Sequence, residues 1–360
     1  MTFDPKTPYS LPPLPPDIDF SDPAFTKPLL RAHTALAELK GYSFGMPNPM
    51  LLLSPAILRE SIASSEIENI HTTIIDALQN QLLPESERRE GDKEVLHYRE
   101  AIMWGFRELD KLALSSRMIT GIQSKLQTKE DGYRRTQNVI AAMPSREILY
   151  TPPDITQIPD LISNWERFVH NDKDTIDPLL KMAISHYQFE SIHPFADGNG
   201  RTGRILMVLQ LVQDQLLHLP ILYISGYINK NRSAYYQLLR DIPIKGNWAD
   251  FILFMLEGVY TQAIGTKKTL FDILQLFEKI KRQIKQNHSK IYSADLVEIL
   301  FAFPIITPVK LGSVLDVHYT TATRYLAELT RAGILVNKKY GKYQLYINKQ
   351  LVSVLNPDKI

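Results

Sequence analysis

Residues 193–204 read HPFADGNGRTGR. A histidine and an acid run into a glycine-framed stretch carrying two arginines, all within twelve positions. Glycines that enter a helix let backbone N–H groups approach an anion closely, and the helix dipole adds partial positive charge at the same point. Arg201 and Arg204, three apart in the first helical turn, are expected to reach the same side and fork onto phosphate oxygens. Asp197 is a hard oxygen ligand suited to a Mg2+ that keeps several waters and bridges substrate phosphates. His193, with an ordinary pKa near ~6.5, can take a proton near neutral pH. Together these parts describe a nucleotide site with a base.

The flanks place the motif between two helices. Upstream, DPLLKMAISHYQFESI (177–192) opens on an Asp-Pro start and puts Leu179, Met182, Ala183, His186 and Phe189 on roughly one face. Downstream, RILMVLQLVQDQLLHL (204–219) is apolar almost all round, which predicts a buried central helix. Most of the chain from Thr26 reads helical at three and four spacing, and Ser54-Pro55 is expected to cap and open the helix PAILRESIASSEIENI (55–70). Helical patterns continue over 92–114 and 117–127. Then Gly132, Tyr133, Val139, Ile140 and Tyr150 suggest a short hairpin, a flap ahead of the motif, within 132–150. Further helices are expected at 229–242, 247–264 and 276–288, with a boundary near residue 285. The remainder, 291–348, reads as three helices and a two-stranded hairpin turned at Tyr340-Gly341-Lys342.

Composition limits the function classes. With 360 residues, 44% hydrophobic and 22% charged, the chain is an ordinary soluble globular protein. A net charge of +2 does not point the whole molecule at a polyanion. The lack of cysteine excludes disulfides, thiolate metal sites and cysteine nucleophiles, and fits a reducing compartment. The first twenty residues lack a basic n-region and an apolar h-region, and no run approaches eighteen apolar residues. A cytoplasmic protein without a membrane partner is therefore expected. The proline-rich residues 1–23 predict an extended arm lying over a surface. No G-x-x-x-x-G-K-[ST] string is present, which argues against a P-loop.

A His-Pro pair or a DGNG turn alone is more often structural, but the joint pattern H-x-F-x-[DE]-G-N-G-R-x-x-R fixes eight positions. At about one in twenty each, its chance occurrence is on the order of 10⁻⁸. The stretch resembles the signature of the Fic domain family, enzymes that transfer AMP from ATP to a protein hydroxyl. His193, Phe195, Asp197, Gly198, Asn199, Gly200, Arg201 and Arg204 all match. The resemblance covers roughly residues 26–280. It implies an all-α fold, a Fic-type helical domain with a short β-hairpin flap, joined here to a C-terminal winged-helix domain.

By that resemblance His193 is the general base, Asp197 holds Mg2+ between phosphates, Asn199 with the Gly198–Gly200 backbone cradles the transferring group, and Phe195 anchors the loop. ATP is implied as substrate, contacted by Glu68, His193, Gly198, Asn199, Gly200, Arg201, Thr202, Gly203, Arg204 and Tyr236. The partner is a target protein offering a Tyr, Thr or Ser hydroxyl, held along the hairpin edge. The family also has a restraining segment of form [ST]-x-x-x-E-[GN], matched by Ser64, Glu68 and Asn69. Arg204 has no acidic partner inside its own motif, so Glu68 is expected to pair with it and hold ATP in an unreactive pose.

These readings divide the chain into an N-terminal arm and helices carrying the inhibitory segment (1–110), a catalytic core (111–284) and a winged-helix-like domain (285–360). Residues 286–360 carry nine Lys plus Arg against five Asp plus Glu, a mild excess, so a docking, self-modification or homodimer role is favoured over DNA binding. Two alternatives stay open: a DNA-binding regulator with a nucleotide-sensing Fic-like part, and removal of AMP from a target by the same site.

Overall fold

The computed structural model describes residues 3–44, 48–128, 130–142 and 144–356. Residues 1 and 2 of the expected arm, 143 of the hairpin and 357–360 of the C-terminal region lie outside them. The chain is helical almost throughout, with α1 at Pro23–Phe44, α2 at Pro49–Ile67, α3 at Ile74–Asn80, α4 at Glu90–Glu108 and α5 at Ser116–Lys125. A hairpin of β1 (Ile140–Ala141) and β2 (Ile148–Tyr150) follows. Next come α6 at Ile158–Val169, α7 at Pro178–Ile192, α8 at Asn199–Gln213, α9 at Ile224–Lys230, α10 at Arg232–Lys245 and α11 at Trp248–Asn287.

The centre of the molecule is α7 against α8. Asp177 caps α7 by accepting from the Leu179 N–H at 2.8 Å, and Pro178 fills the first turn, as the Asp-Pro signal predicts. Nearly every residue of both helices is buried, including Ile205, Leu206, Met207, Val208 and Leu209 of α8. Each such side chain contributes about 1.5–3 kcal/mol of burial free energy, so the motif at the head of α8 stands on a deeply buried part of the core. Helices α4 and α5 pack on the far side of α8, and α6 and α11 on α7.

Four expectations needed correction. Helix α2 starts at Pro49, not at Ser54. Ser54 is instead an interior residue whose hydroxyl donates to the Ala302 carbonyl at 3.3 Å and accepts from Arg99 at 3.1 Å. The two helices expected over 247–288 form one helix, α11. Its buried stripe runs on from Phe251 through Val259, Ala263, Leu270 and Phe277 to Ile284 because α1, and beyond it the helices Ala294–Ala302 and Lys349–Leu355 of the C-terminal region, pack along it. The hairpin strands are only two and three residues long. Tyr133, expected in a strand, stays outside because its ring packs on Phe195 and its hydroxyl bonds Ser116 at 2.8 Å.

The arm behaves as its prolines predict. It runs extended over α6, α7 and the end of β2, burying Leu11 and Leu14. It is fixed by Asn164, which accepts from the Leu14 N–H at 2.7 Å, by Gln188 donating to the Pro12 carbonyl at 2.9 Å, and by Tyr9 N–H donating to the Thr151 carbonyl at 3.0 Å.

The C-terminal region contains α12 (Ala294–Ala302), β3 (Ile305–Ile306), α13 (Pro308–Leu315), α14 (Tyr319–Arg331), β4 (Val336–Tyr340), β5 (Tyr343–Ile347) and α15 (Lys349–Leu355). Strands order as β3-β5-β4, all antiparallel, and Gly341-Lys342 make the tight turn between paired Tyr340 and Tyr343. This is the winged-helix arrangement, with β3 and α15 added to the elements legible in the sequence. It is not a free appendage: α12 and α15 pack on α2 and α11, with Phe301 edge-on to Phe277 at 5.1 Å. At the wing tip Lys342 pairs with Glu87 at 2.8 Å, and the Tyr343 hydroxyl donates to the same carboxylate at 3.1 Å.

Candidate functional site

Helix α7 ends at His193, which takes a left-handed conformation (φ 48°) and turns the chain into the motif loop. Asn199, opening α8, closes that loop on itself. Its side-chain oxygen accepts from the Phe195 N–H and its NH2 donates to the Phe195 carbonyl, both at 2.8 Å. Phe195 is fully buried against Phe189 and Tyr133. The Asn199 side chain is thus spent on holding the loop, and its contribution at a ligand would come through its backbone. Gly198 precedes α8 with φ 85°, a conformation glycine adopts without penalty, and no side chain caps the helix. The first N–H groups of α8 are therefore available to an anion.

The Nδ1 of His193 faces the Glu190 carbonyl at 3.3 Å. A carbonyl only accepts, so Nδ1 carries the hydrogen and Nε2 is the basic nitrogen. Burial pushes this imidazole down to about 4, which keeps it neutral at physiological pH. Arg134 fixes the loop from the flap side, donating from Nε to the His193 carbonyl at 3.0 Å and from its backbone N–H to the Pro194 carbonyl at 2.8 Å.

The two motif arginines diverge instead of sharing one side. Arg201 pairs with Glu94 of α4 and lies 3.3 Å from Asp197. Arg204, 1% exposed, points to the end of α2: Nε donates to the Ser64 hydroxyl at 2.8 Å, and one terminal nitrogen reaches the Ser64 carbonyl at 3.0 Å and the Glu68 carboxylate at 2.8 Å. The backbone explains the divergence, since side chains three apart on a helix are offset by about 60° and each meets a different neighbouring helix. Burial alone would raise the Glu68 carboxyl, but the Arg204 charge beside it holds it below the ordinary carboxylate range. A Cβ on Gly200 would sit 2.5 Å from that carboxylate, so the close approach of Glu68 to the head of α8 requires glycine there.

Asn69 follows with φ 62°, outside the helix, and its side-chain oxygen accepts from both terminal nitrogens of Arg232 at 3.2 Å. Glu66 on the neighbouring face accepts from Asn229 at 2.9 Å. The segment from Ser64 to Asn69 is thus gripped from three directions.

These groups border a cavity of about 760 Å3. His193, Gly200 and Arg204 form its floor, Glu68 and Asn69 one wall, the flap residues 139–142 with Leu149 and Tyr150 another, and Arg232, Tyr236 and Leu239 of α10 the third. Tyr236 is 40% exposed there, whereas its neighbour Tyr235 is buried and hydrogen-bonds His186 at 2.8 Å. Asp197 sits at the mouth of the loop with a 61% exposed side chain, its Oδ1 accepting from the Gly198 N–H at 2.6 Å. Thr202 and Gly203 lie inside α8, Gly203 facing the Glu190 carboxylate across the α7 contact. Among the described residues no three His, Asp or Glu side chains converge as a resident metal site. One exposed carboxylate fits a Mg2+ that arrives with a triphosphate and keeps most of its waters.

Sequence reasoning missed Glu94, Arg134, Glu190 and Arg232. Only Glu190, three residues before His193 in the same helix, carried a positional hint.

A motif loop on a buried helix pair, a flap before it and a glutamate-bearing helix behind it define the Fic class, and comparison with known proteins bears this out. The Fic/DOC family N-terminal profile matches residues 26–107, the Fic/DOC family profile residues 107–211, and that of the C-terminal domain of SoFic-like protein adenylyltransferases residues 276–351. The chain belongs to the Fic/DOC family. It is 28% identical over 218 residues to a probable protein adenylyltransferase of Aquifex aeolicus, covering 61% of each chain. It is 30% identical over 141 residues to the protein adenylyltransferase Fic of Drosophila melanogaster, covering 38% of this chain and 25% of the fly protein. It therefore spans about three fifths of the bacterial relative and a quarter of the fly one. In fold it is similar to a Fic family protein from Desulfovibrio desulfuricans (TM-score 0.57, 18% identity, 92% of this chain and 97% of that one). A Fic domain containing signaling protein from Bacteroides thetaiotaomicron gives 0.54 at 16% identity, over 67% of this chain and 95% of that one.

Proposed function

We propose that the chain is a protein adenylyltransferase held in a restrained state by Glu68. The acceptor hydroxyl of a target Ser, Thr or Tyr attacks the α-phosphorus of ATP. The new O–P bond forms as the bond to the bridging oxygen of the β-phosphate breaks, pyrophosphate leaves, and the hydroxyl proton goes to Nε2 of His193. The observation that carries this is the histidine itself: Nδ1 is committed to Glu190, so the basic nitrogen is Nε2 of a neutral ring lining a cavity whose floor is the head of α8.

Unpaired N–H groups of α8 and the Arg204 guanidinium suit a triphosphate, and positioning with charge neutralisation is most of what phosphoryl-type transfer needs. Mg2+ held at Asp197 would neutralise charge on the phosphates. Tyr236 and Arg232 would wall the nucleotide on the α10 side. Among the described residues strand β1 pairs only with β2, so its other edge can take an extended target segment by backbone hydrogen bonds. Glu68, by occupying Arg204, keeps that cation from the γ-phosphate, and the α-phosphate is not presented in line. Self-modification would use the same chemistry.

The test is incorporation of label into protein from ATP labelled at the α- or the γ-phosphate, with Mg2+ and a cell lysate. Label should enter from the α-position alone and vanish in His193→Ala. Entry from the γ-position instead would make the protein a kinase.

A further inference from the structure

Glu60 lies in α2 eight residues, a little over two turns, before Glu68. It is 2% exposed, and no cation reaches its carboxylate among the described residues. Three neutral donors hold it instead: the Ser225 N–H at 3.0 Å, the Tyr98 hydroxyl at 3.1 Å and the Ser225 hydroxyl. Ser225 is in α9 and Tyr98 in α4, so one carboxylate ties α2 to two other helices. A fully buried acid without a counter-ion is expensive compared with an apolar residue of the same size, which makes plain core packing a poor explanation. The tie also leads somewhere. Ser64 lies four residues, about one turn, after Glu60 in α2, and its hydroxyl accepts from Nε of Arg204, the guanidinium that holds Glu68. Tyr98, Ser64, Arg204 and Ser225 are each at most 1% exposed, so water does not separate these helices here.

We infer that Glu60 is a positioning residue for Glu68: its bonds to Ser225 and Tyr98 set α2 against α9 and α4, and thereby seat Glu68 on Arg204. This rests on the proposal that Glu68 restrains the site. Helices slide and rotate by small amounts when a buried polar tie is cut, and a shift of about 1 Å is enough to misplace a reacting or restraining group. Because Glu68 directly follows the last turn of the helix that carries Glu60, loosening that helix displaces Glu68 without touching the cavity floor.

The experiment measures initial rates of adenylyl incorporation for wild type, Glu60→Gln, Glu68→Gly and the double variant, with Tm for each. Glu60→Gln should raise the rate by about fivefold, the factor that corresponds to a buried hydrogen bond of ~1 kcal/mol. The double variant should be no faster than Glu68→Gly, since both changes act through one contact. A glutamate that only stabilises the fold would lower Tm without raising the rate, and that result overturns the inference. Tyr98→Phe removes one donor, keeps the ring, and should show a smaller rise with the same non-additivity; it stands in if Glu60→Gln does not fold. Hydrogen exchange at residues 64–69 needs no turnover. Faster exchange there in Glu60→Gln or Tyr98→Phe supports the anchoring and unchanged exchange rejects it, whereas a Glu68→Gly variant no faster than wild type would count against the restraint by Glu68 alone.

Discussion

The motif loop and the end of α2 meet at one guanidinium, yet they are held in opposite ways. The loop spends its own side chains on itself: Asn199 bonds Phe195 twice, Asp197 bonds Gly198, and His193 bonds the Glu190 carbonyl. The segment from Ser64 to Asn69 is held by groups that reach in from other helices, Arg204 from α8 and Arg232 from α10, with Asn229 of α9 on Glu66. A loop braced largely by its own side chains, with Arg134 added from the flap side, depends less on its neighbours. A segment held from outside can be let go. On the proposed function, the half of the site that carries His193 is thus the fixed part and the half that carries Glu68 the removable one.

The largest expected effect breaks the fixed part. His193→Ala should lower adenylyl transfer by about 10²–10⁴ while leaving ATP affinity nearly unchanged, since a base acts on the transition state. Titration calorimetry against transfer rate checks it, and an equal loss of affinity would remove His193 from the role of base. Asn199→Ala should be next: opening two buried hydrogen bonds costs about 1–3 kcal/mol, seen as a Tm several degrees lower together with a rate loss of at least roughly tenfold. Asn69→Gly keeps the left-handed backbone but removes the partner of Arg232, an exposed contact, so a rise of only about two- to threefold is expected.

No effect at all is expected from mild acid in Glu68→Gly. Burial holds His193 down to about 4, and removing a nearby carboxylate can only lower it further, so the base stays deprotonated and the rate flat from about pH 8 to 5.5. An acid limb near 6.5 would mean that the imidazole is solvated in the working enzyme.

Much of this site was legible because its parts are local. The motif is contiguous, and its helix, loop and helix follow from Asp177-Pro178 and from the apolar run after Arg204. The Glu68–Arg204 pair could be anticipated from charge, since a motif with two arginines and one acid leaves a cation over. Glu94 could not: it sits in EGDKEVLHYRE, whose charges look like a solvated face, and its partner is 107 residues away. Arg232 and Glu60 failed for the same reason, each acting across helices whose packing no spacing rule specifies. The split of α11 into two helices was an error of a different kind. The polar stretch TKKT at 266–269 resembles an ending, but α1 covers the far side and keeps the helix intact, with Lys267 pairing Glu38 at 2.5 Å. The overlong flap came from β-propensity at Tyr133, which the ring contact with Phe195 overrides.

The most direct measurement is the initial rate of adenylyl incorporation by wild type and Glu68→Gly at matched, saturating Mg·ATP. Freed from the carboxylate, Arg204 can take the γ-phosphate and the α-phosphate can be approached in line, so Glu68→Gly should be faster by roughly tenfold or more at similar ATP affinity. Equal rates would contradict restraint by Glu68, and no incorporation by either protein would contradict adenylyl transfer itself.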